Sequence, residues 1–469
     1  MNRPAKQLDK YTDLARTRRA SRAPLPDPYP DSVLRTILET ANRAPSAADA
    51  RPWEFIVLTE EDLKRKLADI FSEEPKYKGR IDPTFPLAGN SKEFIDAPAT
   101  VLVGGDPRYY RWWPQAPPRA PYGSREKLFQ QSLAMCTMTL HLAGTAAGLG
   151  TTWVSTREPT QEKLRDVLDL PEWFRIVSTA PLGYPDLDRV PLSKSRISLD
   201  EKLHEDAFDG DSVPTYEEIM ARKEESREDV YQPSEEDDSR WETEITLDEF
   251  AALSRSQHSA RGFKDEPISE GTLQQILEAS IESPSAANSQ PWEFIRVRDE
   301  SARRRLADIL HWELEYRQTV DPDFSESAYR DTALLDIPPK SVIDDAAEVI
   351  VVAGNQHLEK LWPQVPDGSR RKLFHHSIAT ATTSLHYGAT AAGLATKLIT
   401  PYVATEAKLR DALNMPSWYR IETIALLGVP DKSRTEDVTT TDVESKIHRN
   451  GLNEAQIPTT TEIARAFQN

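Results

Sequence analysis

"PSAADARPWEFI" runs from Pro45 to Ile56, and "PSAANSQPWEFI" runs from Pro284 to Ile295. The two stretches differ only where Asp49, Ala50 and Arg51 face Asn288, Ser289 and Gln290. Further blocks match in the same order. "RRASR" (18–22) pairs with "QHSAR" (257–261), and "SREKLFQQSLAMCTMTLHLAGTAAGLGTTWVST" (124–156) pairs with "SRRKLFHHSIATATTSLHYGATAAGLATKLITP" (369–401). "APLGYPD" then pairs with "ALLGVPD", and "DEKLH" with "ESKIH". Solenoid repeats recur every few tens of residues, so blocks this far apart mean two homologous domains. The boundaries fall at 1–205 for the first domain and 244–469 for the second. The charged, apolar-poor stretch 206–243 between them reads as a linker or arm.

A chain of 469 residues suits two domains that each bury a core. The net charge of −18 argues against a nucleic-acid partner, because nothing releases counterions from a phosphate backbone. One cysteine, Cys136 within "LAMCTMTL", allows no intrachain disulfide and reads as buried packing in a cytoplasmic protein. The paired arginines near the N-terminus lack a following apolar run, so they do not read as a signal peptide. No segment has the apolar length of a membrane span.

Within each domain, helix and strand signals alternate without a strict βαβ rhythm, which predicts an α+β fold. "DSVLRTILETANRA" places Val33, Leu34, Ile37, Leu38 and Ala41 on one helical face, with Asp31 as N-cap. "PWEFIVL" and "ATVLVGG" read as buried strands. The segment from Ser124 to about Gly148 is apolar or small on every side, so a helix there belongs at the centre of a domain or against its partner.

The blocks "RRASR", "APSAADARPWEFIVL", "AAGLGTTW" and "LGYPDLDRVPLSKSR", in this order and twice over, resemble the FMN-dependent nitroreductase superfamily. The resemblance implies a nitroreductase-like α+β fold whose two copies form a tight dimer with flavins at the interface; here both copies lie in one chain, an intrachain pseudo-dimer. It further implies FMN held by the arginine-rich start and basic tail of one copy, with the Pro-Ser loop facing the ring supplied by the other. NADH or NADPH would dock transiently as electron donor.

The residues that would carry this are Arg18, Arg19, Arg22, Lys194 and Arg196 for the phosphate. Pro284, Ser285, Ala286 and Asn288 would face the ring, and Gly148 and Gly150 stand at the end of the long helix. Guanidinium and ammonium groups suit a phosphate of nearly two negative charges. A proline and small residues let backbone approach a flat ring, and an amide can both donate and accept along its edge. The plainer alternatives are a solvated basic patch, an ordinary turn before a strand and a glycine C-cap. Trp53 and Trp292 read as core or interface aromatics. His375 and His376, adjacent on a helix, face different ways and make no joint metal site.

The copies have diverged unevenly. Arg18, Arg19 and Arg22 face Gln257, His258 and Arg261, and the basic tail faces Val438 and Thr440 or their neighbours. Gly150 and Trp153 face Ala395 and Leu398. The Pro-Ser loop is altered only in the first domain, by Asp49 and Arg51. In the exchanged geometry one site combines every intact part and its twin combines every defect. The expectation is one FMN per chain and an enzyme that reduces a nitroaromatic, quinone or related conjugated acceptor. A reductive dehalogenase or other flavin-dependent tailoring enzyme, and a non-catalytic flavin-binding protein, are the alternatives. The aromatic stretch before Ser124, "DPRYYRWWPQAPPRAPYG", is the candidate specificity segment.

Overall fold

The computed structural model describes residues 3–73, 92–110, 123–156, 158–189, 196–210, 213, 217–218, 221, 241–320, 340–356, 367–431, 442–459 and 461–463. The first half contains α1 (Arg3–Thr17), α2 (Asp31–Ala41), β1 (Trp53–Leu58), α3 (Glu61–Ser72), α4 (Lys92–Asp96), β2 (Ala99–Gly105), α5 (Gly123–Ala146), β3 (Gly150–Thr151), α6 (Glu158–Leu168), β4 (Arg175–Gly183) and β5 (Leu203–Glu205). The second half repeats the order as α7 (Leu247–Ser256), α8 (Glu270–Ile281), β6 (Trp292–Arg296), α9 (Glu300–Val320), α10 (Lys340–Asp345), β7 (Glu348–Asn355), α11 (Asp367–Ala391), β8 (Ala395–Ile399), α12 (Val403–Ala412), β9 (Tyr419–Gly428) and β10 (Ile447–Arg449). Helices and largely antiparallel strands make this a duplicated α+β fold.

The apolar face read from α2 is the buried one, with Leu34, Ile37, Leu38 and Ala41 inside. Its start differs from expectation: Pro30 occupies the N-cap and Asp31 is the first helical residue, without a side-chain cap bond. A carboxylate there still complements the positive end of the helix. The matching helix α8 does have a side-chain cap, the Ser269 hydroxyl accepting from the Thr272 N–H. From Lys127 onward α5 is buried almost all round, and α11 packs along it. Cys136 lies fully inside, and burial holds its thiol well above the ordinary range.

The two sheets exchange their outermost strands. The first runs β10-β1-β2-β4-β3 and the second β5-β6-β7-β9-β8. In each, the added strand comes from the other half and pairs in parallel, Phe55 opposite Ile447 and Leu203 opposite Phe294. Buried charges lock both additions. Lys202 Nζ lies 2.9 Å from the Glu293 carboxylate and His204 Nε2 3.4 Å from its other oxygen. The mirror set is Lys446 Nζ at 2.8 Å and His448 Nε2 at 3.1 Å from Glu54. Thus the Glu of each "PWEF" block is held by the Lys and His of the other half's "EKLH" or "SKIH".

The N-terminal helices also cross over. α1 packs on α8 and α11, where the Tyr11 hydroxyl donates to the Ser384 carbonyl at 3.2 Å, while α7 packs on α2 and α5. One apolar cluster therefore runs through both halves, from Leu8 and Tyr11 through Met138 to Tyr387 and Ile463. Two further clusters cover the outer sides of the sheets. Trp53 and Trp292 are fully buried in the shared cluster, as expected of core aromatics.

Candidate functional site

Arg18, just past α1, and Arg196 belong to the first half, yet both reach the loop after α8 in the second. Arg18 donates to the Glu282 carbonyl at 3.3 Å. Arg196 donates from Nε to the Glu282 carboxylate at 3.0 Å, from one terminal nitrogen to the Glu282 carbonyl at 2.7 Å, and from the other to Asn288 Oδ1 at 2.8 Å. The Ile197 N–H donates to Gln290 Oε1 at 3.0 Å. Arg18 and Arg196 of the first half thus meet at Glu282 of the second, and Arg196 also reaches Asn288 of the Pro-Ser loop.

The loop is pinned from behind. Thr380 donates to the Pro284 carbonyl at 2.7 Å, the Ala286 N–H donates to Ser377 Oγ at 3.1 Å, and the Gln290 N–H donates to Ser285 Oγ at 2.9 Å. Ser285 therefore shapes the turn. Asn288 sits at φ 54°, a left-handed conformation that asparagine tolerates well.

The other expected residues are placed as follows. Arg19 is buried, with its guanidinium 5.3 Å from the ring centroid of Trp241. Arg22 is exposed at φ 52°, and its N–H donates to Thr152 Oγ1 at 3.0 Å. Gly148 adopts φ 75° where α5 ends, with the Leu149 N–H donating back to the Gly144 carbonyl, which is a helix C-cap. Gly150 lies against Ser21 and so seats the arginine-rich start on β3. Lys194, and the second-half tail positions Val438 and Thr440, lie outside the described residues.

Burial dominates the electrostatics, and at Arg18 cationic crowding adds to it. Burial, then the nearby Arg196, lowers Arg18 to a pKa of about 9, with Glu282 opposing. Burial also lowers Arg196 despite its Glu282 partner. Two buried guanidinium groups, Arg18 and Arg196, beside the single carboxylate of Glu282 make a donor set whose chemistry suits a further anion such as a phosphate.

The twin position keeps the backbone and changes the chemistry. Asp49 and Arg51 sit at φ 51° and 43°, as Asn288 and Gln290 do at 54° and 46°. Ser46 Oγ accepts from the Arg51 N–H at 3.1 Å, the counterpart of the Ser285 turn. Here, however, Arg51 closes on Asp49 through two bonds of 3.0 and 2.8 Å. Gln257 takes the place of Arg18 and donates to the carbonyl of Arg43, the residue matching Glu282. The sites thus carry opposite charges at that position. The cavity beside Arg51, bounded also by Tyr109, Lys446 and Gln456, holds about 90 Å³, well below the roughly 300–1,000 Å³ of small-molecule pockets.

Sequence reading did not single out Glu282, Glu54 or Glu293. A signal existed for the first, since Arg43 and Glu282 are a charge reversal two residues ahead of the matched Pro-Ser blocks. The other two are identical in both copies, and only the strand exchange reveals their partners. The expected separation of His375 and His376 is observed: His375 Nδ1 lies 2.9 Å from Glu422 and His376 Nε2 lies 2.7 Å from Gln130. Of the candidate specificity segment, Tyr109 and Tyr110 are buried and residues 111–122 lie outside the described residues.

Comparison with known proteins agrees with this duplication. The profile of the Nitroreductase family matches twice, over residues 15–184 and 255–429. The chain belongs to the nitroreductase family. An NADH dehydrogenase/NAD(P)H nitroreductase of Archaeoglobus fulgidus is 28% identical over 180 residues, which is 38% of this chain and 87% of the relative. The iodotyrosine deiodinase of Danio rerio is 27% identical over 194 residues, 39% of this chain and 63% of the relative. Among solved structures of the family fold, an iodotyrosine deiodinase bound to FMN and 3-iodo-L-tyrosine aligns at 25% identity and TM-score 0.32, covering 40% of this chain and 96% of that one. A nitroreductase family protein from Clostridium novyi NT aligns at 22% identity and TM-score 0.29, covering 38% and 87%.

Proposed function

We propose that the chain is an FMN-dependent oxidoreductase with one flavin per chain, taking electrons from NADH or NADPH and passing them to a nitroaromatic, quinone or related conjugated acceptor. The observation that carries this reading is the convergence of Arg18 and Arg196 on the second half's loop, set against the closed Asp49–Arg51 pair at the twin. Relatives named as NAD(P)H nitroreductases, and a neighbour bound to FMN, support the choice of cofactor and donor.

Bound FMN would supply the electron transfer itself. Arg18, Arg19 and Arg22, with Lys194, would hold its phosphate, while Arg196 ties that cluster to the ring-facing loop. Asn288, kept in its left-handed turn and fixed by Arg196, would present an amide to the ring edge. Pro284 and the small residues after it leave room for a flat ring. Arg51 fills the matching space on the twin side.

The test is flavin released by denaturation and measured against protein. One equivalent is expected, falling sharply in Arg196→Ala and little in Asp49→Asn. A ratio near two, or loss in Asp49→Asn with retention in Asn288→Asp, would defeat the one-site reading. Anaerobic mixing with NADH and NADPH should bleach the flavin absorbance; no bleaching with either donor would leave a flavin-binding role. Because several relatives are named iodotyrosine deiodinases, halogenated phenols belong in the acceptor screen, where halide release separates dehalogenation from nitroreduction.

A further inference from the structure

Trp153 follows the segment whose Thr152 receives the Arg22 N–H, and His376 precedes the serine that holds the Ala286 N–H. The pair therefore adjoins both parts of the site proposed above, one residue from each half. Their ring centroids stand 5.5 Å apart, and His141 lies 5.8 Å from Trp153 on a nearly parallel plane.

The hydrogen-bond network fixes what each ring offers. Gln130 Nε2 donates to Glu126 at 2.5 Å, so its Oε1 faces His376 and accepts from His376 Nε2–H. That leaves His376 Nδ1 as a bare acceptor. Burial, then Lys372 and His375, holds the imidazole well below its ordinary pKa and so neutral. Trp153 Nε1–H can only donate. Both atoms are buried, and neither has a partner among the described residues. At the twin, Leu398 stands for Trp153 and Gln131 for His376, and Gln131 is bonded to Glu422 at 2.8 Å. The unmet donor and acceptor thus occur on the side assigned to flavin and not at its counterpart.

We propose that Trp153 and His376 together form a recognition point for an aromatic molecule bearing one neutral group that both accepts and donates a hydrogen bond. The two rings lie side by side, their centroids 5.5 Å apart, so one small polar group of a ligand can lie near both. A buried donor and acceptor are costly when unmet and gain most from a ligand that meets both. Half-buried Trp153 adds an indole surface that favours an aromatic ligand. Two sources carry this chemistry: the carboxamide of a reduced nicotinamide donor, or the phenol of an acceptor. The proposal rests on the site reading given above.

The experiment uses the full chain with its bound flavin, ¹⁵N-labelled, titrated with benzamide, phenol and anisole. The Trp153 indole resonance is assigned by its loss in Trp153→Phe. It should move downfield with benzamide, phenol or both, the pattern naming the source. Anisole accepts but cannot donate, so it should bind roughly three- to tenfold more weakly than phenol. His376→Leu should erase that difference, with the unaltered chain's own shifts deciding the matter if the variant does not fold. No movement with benzamide or phenol, or, where phenol moves the resonance, equal binding of phenol and anisole, overturns the proposal. Flavin content of the same sample tests the underlying site reading separately.

Discussion

A Cβ placed on Gly150 would lie 2.5 Å from both Cβ and Oγ of Ser21, well inside contact distance. The matching second-half positions are Ala395 and Ala260, so the two copies divide a similar volume differently. Gly150→Ala should therefore lower stability by about 1–3 kcal/mol, the usual cost of overpacking, as read by urea denaturation. An unchanged midpoint would show that the arginine-rich start can move off β3. Individual residues were less legible the farther their partners lie along the chain. Arg18, Arg196 and Asn288 could be named because basic clusters and amide turns are local patterns. Glu282 could not be placed, because its meaning lies in Arg196, which belongs to the other half. Gly148 carried two readings, a place beside the cofactor or a helix C-cap, and the structure shows the cap.

At the scale of elements, the strand exchange makes its buried glutamates indispensable. Glu293→Ala would leave Lys202 buried without its carboxylate, a change that typically costs roughly 3–5 kcal/mol. Glu54→Ala should do the same through Lys446. Calorimetry on both variants checks this, and a cost below about 1 kcal/mol in either would mean that its arm is held by backbone pairing alone. A second, asymmetric charge cluster joins Glu422 on β9 to Lys127 of α5 and His375 of α11. Burial alone would raise Glu422, but His375 and Lys127, with hydrogen bonds from His375 and Gln131, pull it down to about 2. A carboxylate depressed from 4.5 contributes stability that is present above about pH 4.5 and fades as pH falls toward 2, here on the order of 3 kcal/mol. Glu422→Gln should flatten the decline in unfolding midpoint between pH 5 and 3, and a slope like that of the unaltered chain would assign the acid sensitivity elsewhere. The elements themselves were legible from periodicity, down to the buried long helix. The N-cap of α2 was not, because Pro30 and Asp31 both suit a helix start and only backbone angles decide between them.

For the whole molecule, duplication could be read from matched blocks, and the pseudo-dimer from the family they resemble. The strands that cross between sheets had no sequence signal of their own, since three-residue segments such as Leu203–Glu205 have no usable period. Crossed strands, crossed N-terminal helices and one shared apolar cluster predict that protease nicking within 222–240 leaves both fragments together and yellow. Separation of the nicked halves on a sizing column under native conditions would refute this. The same crossing governs how the chain folds during synthesis. β1 is made long before the strand that covers its edge, Ile447–Arg449. Until then the first sheet presents an open edge able to pair with other chains. A pairing across so long a stretch of chain also closes slowly. A first half made well before that strand keeps its outermost hydrogen bonds open meanwhile, and overexpression without chaperones exposes that interval to aggregation.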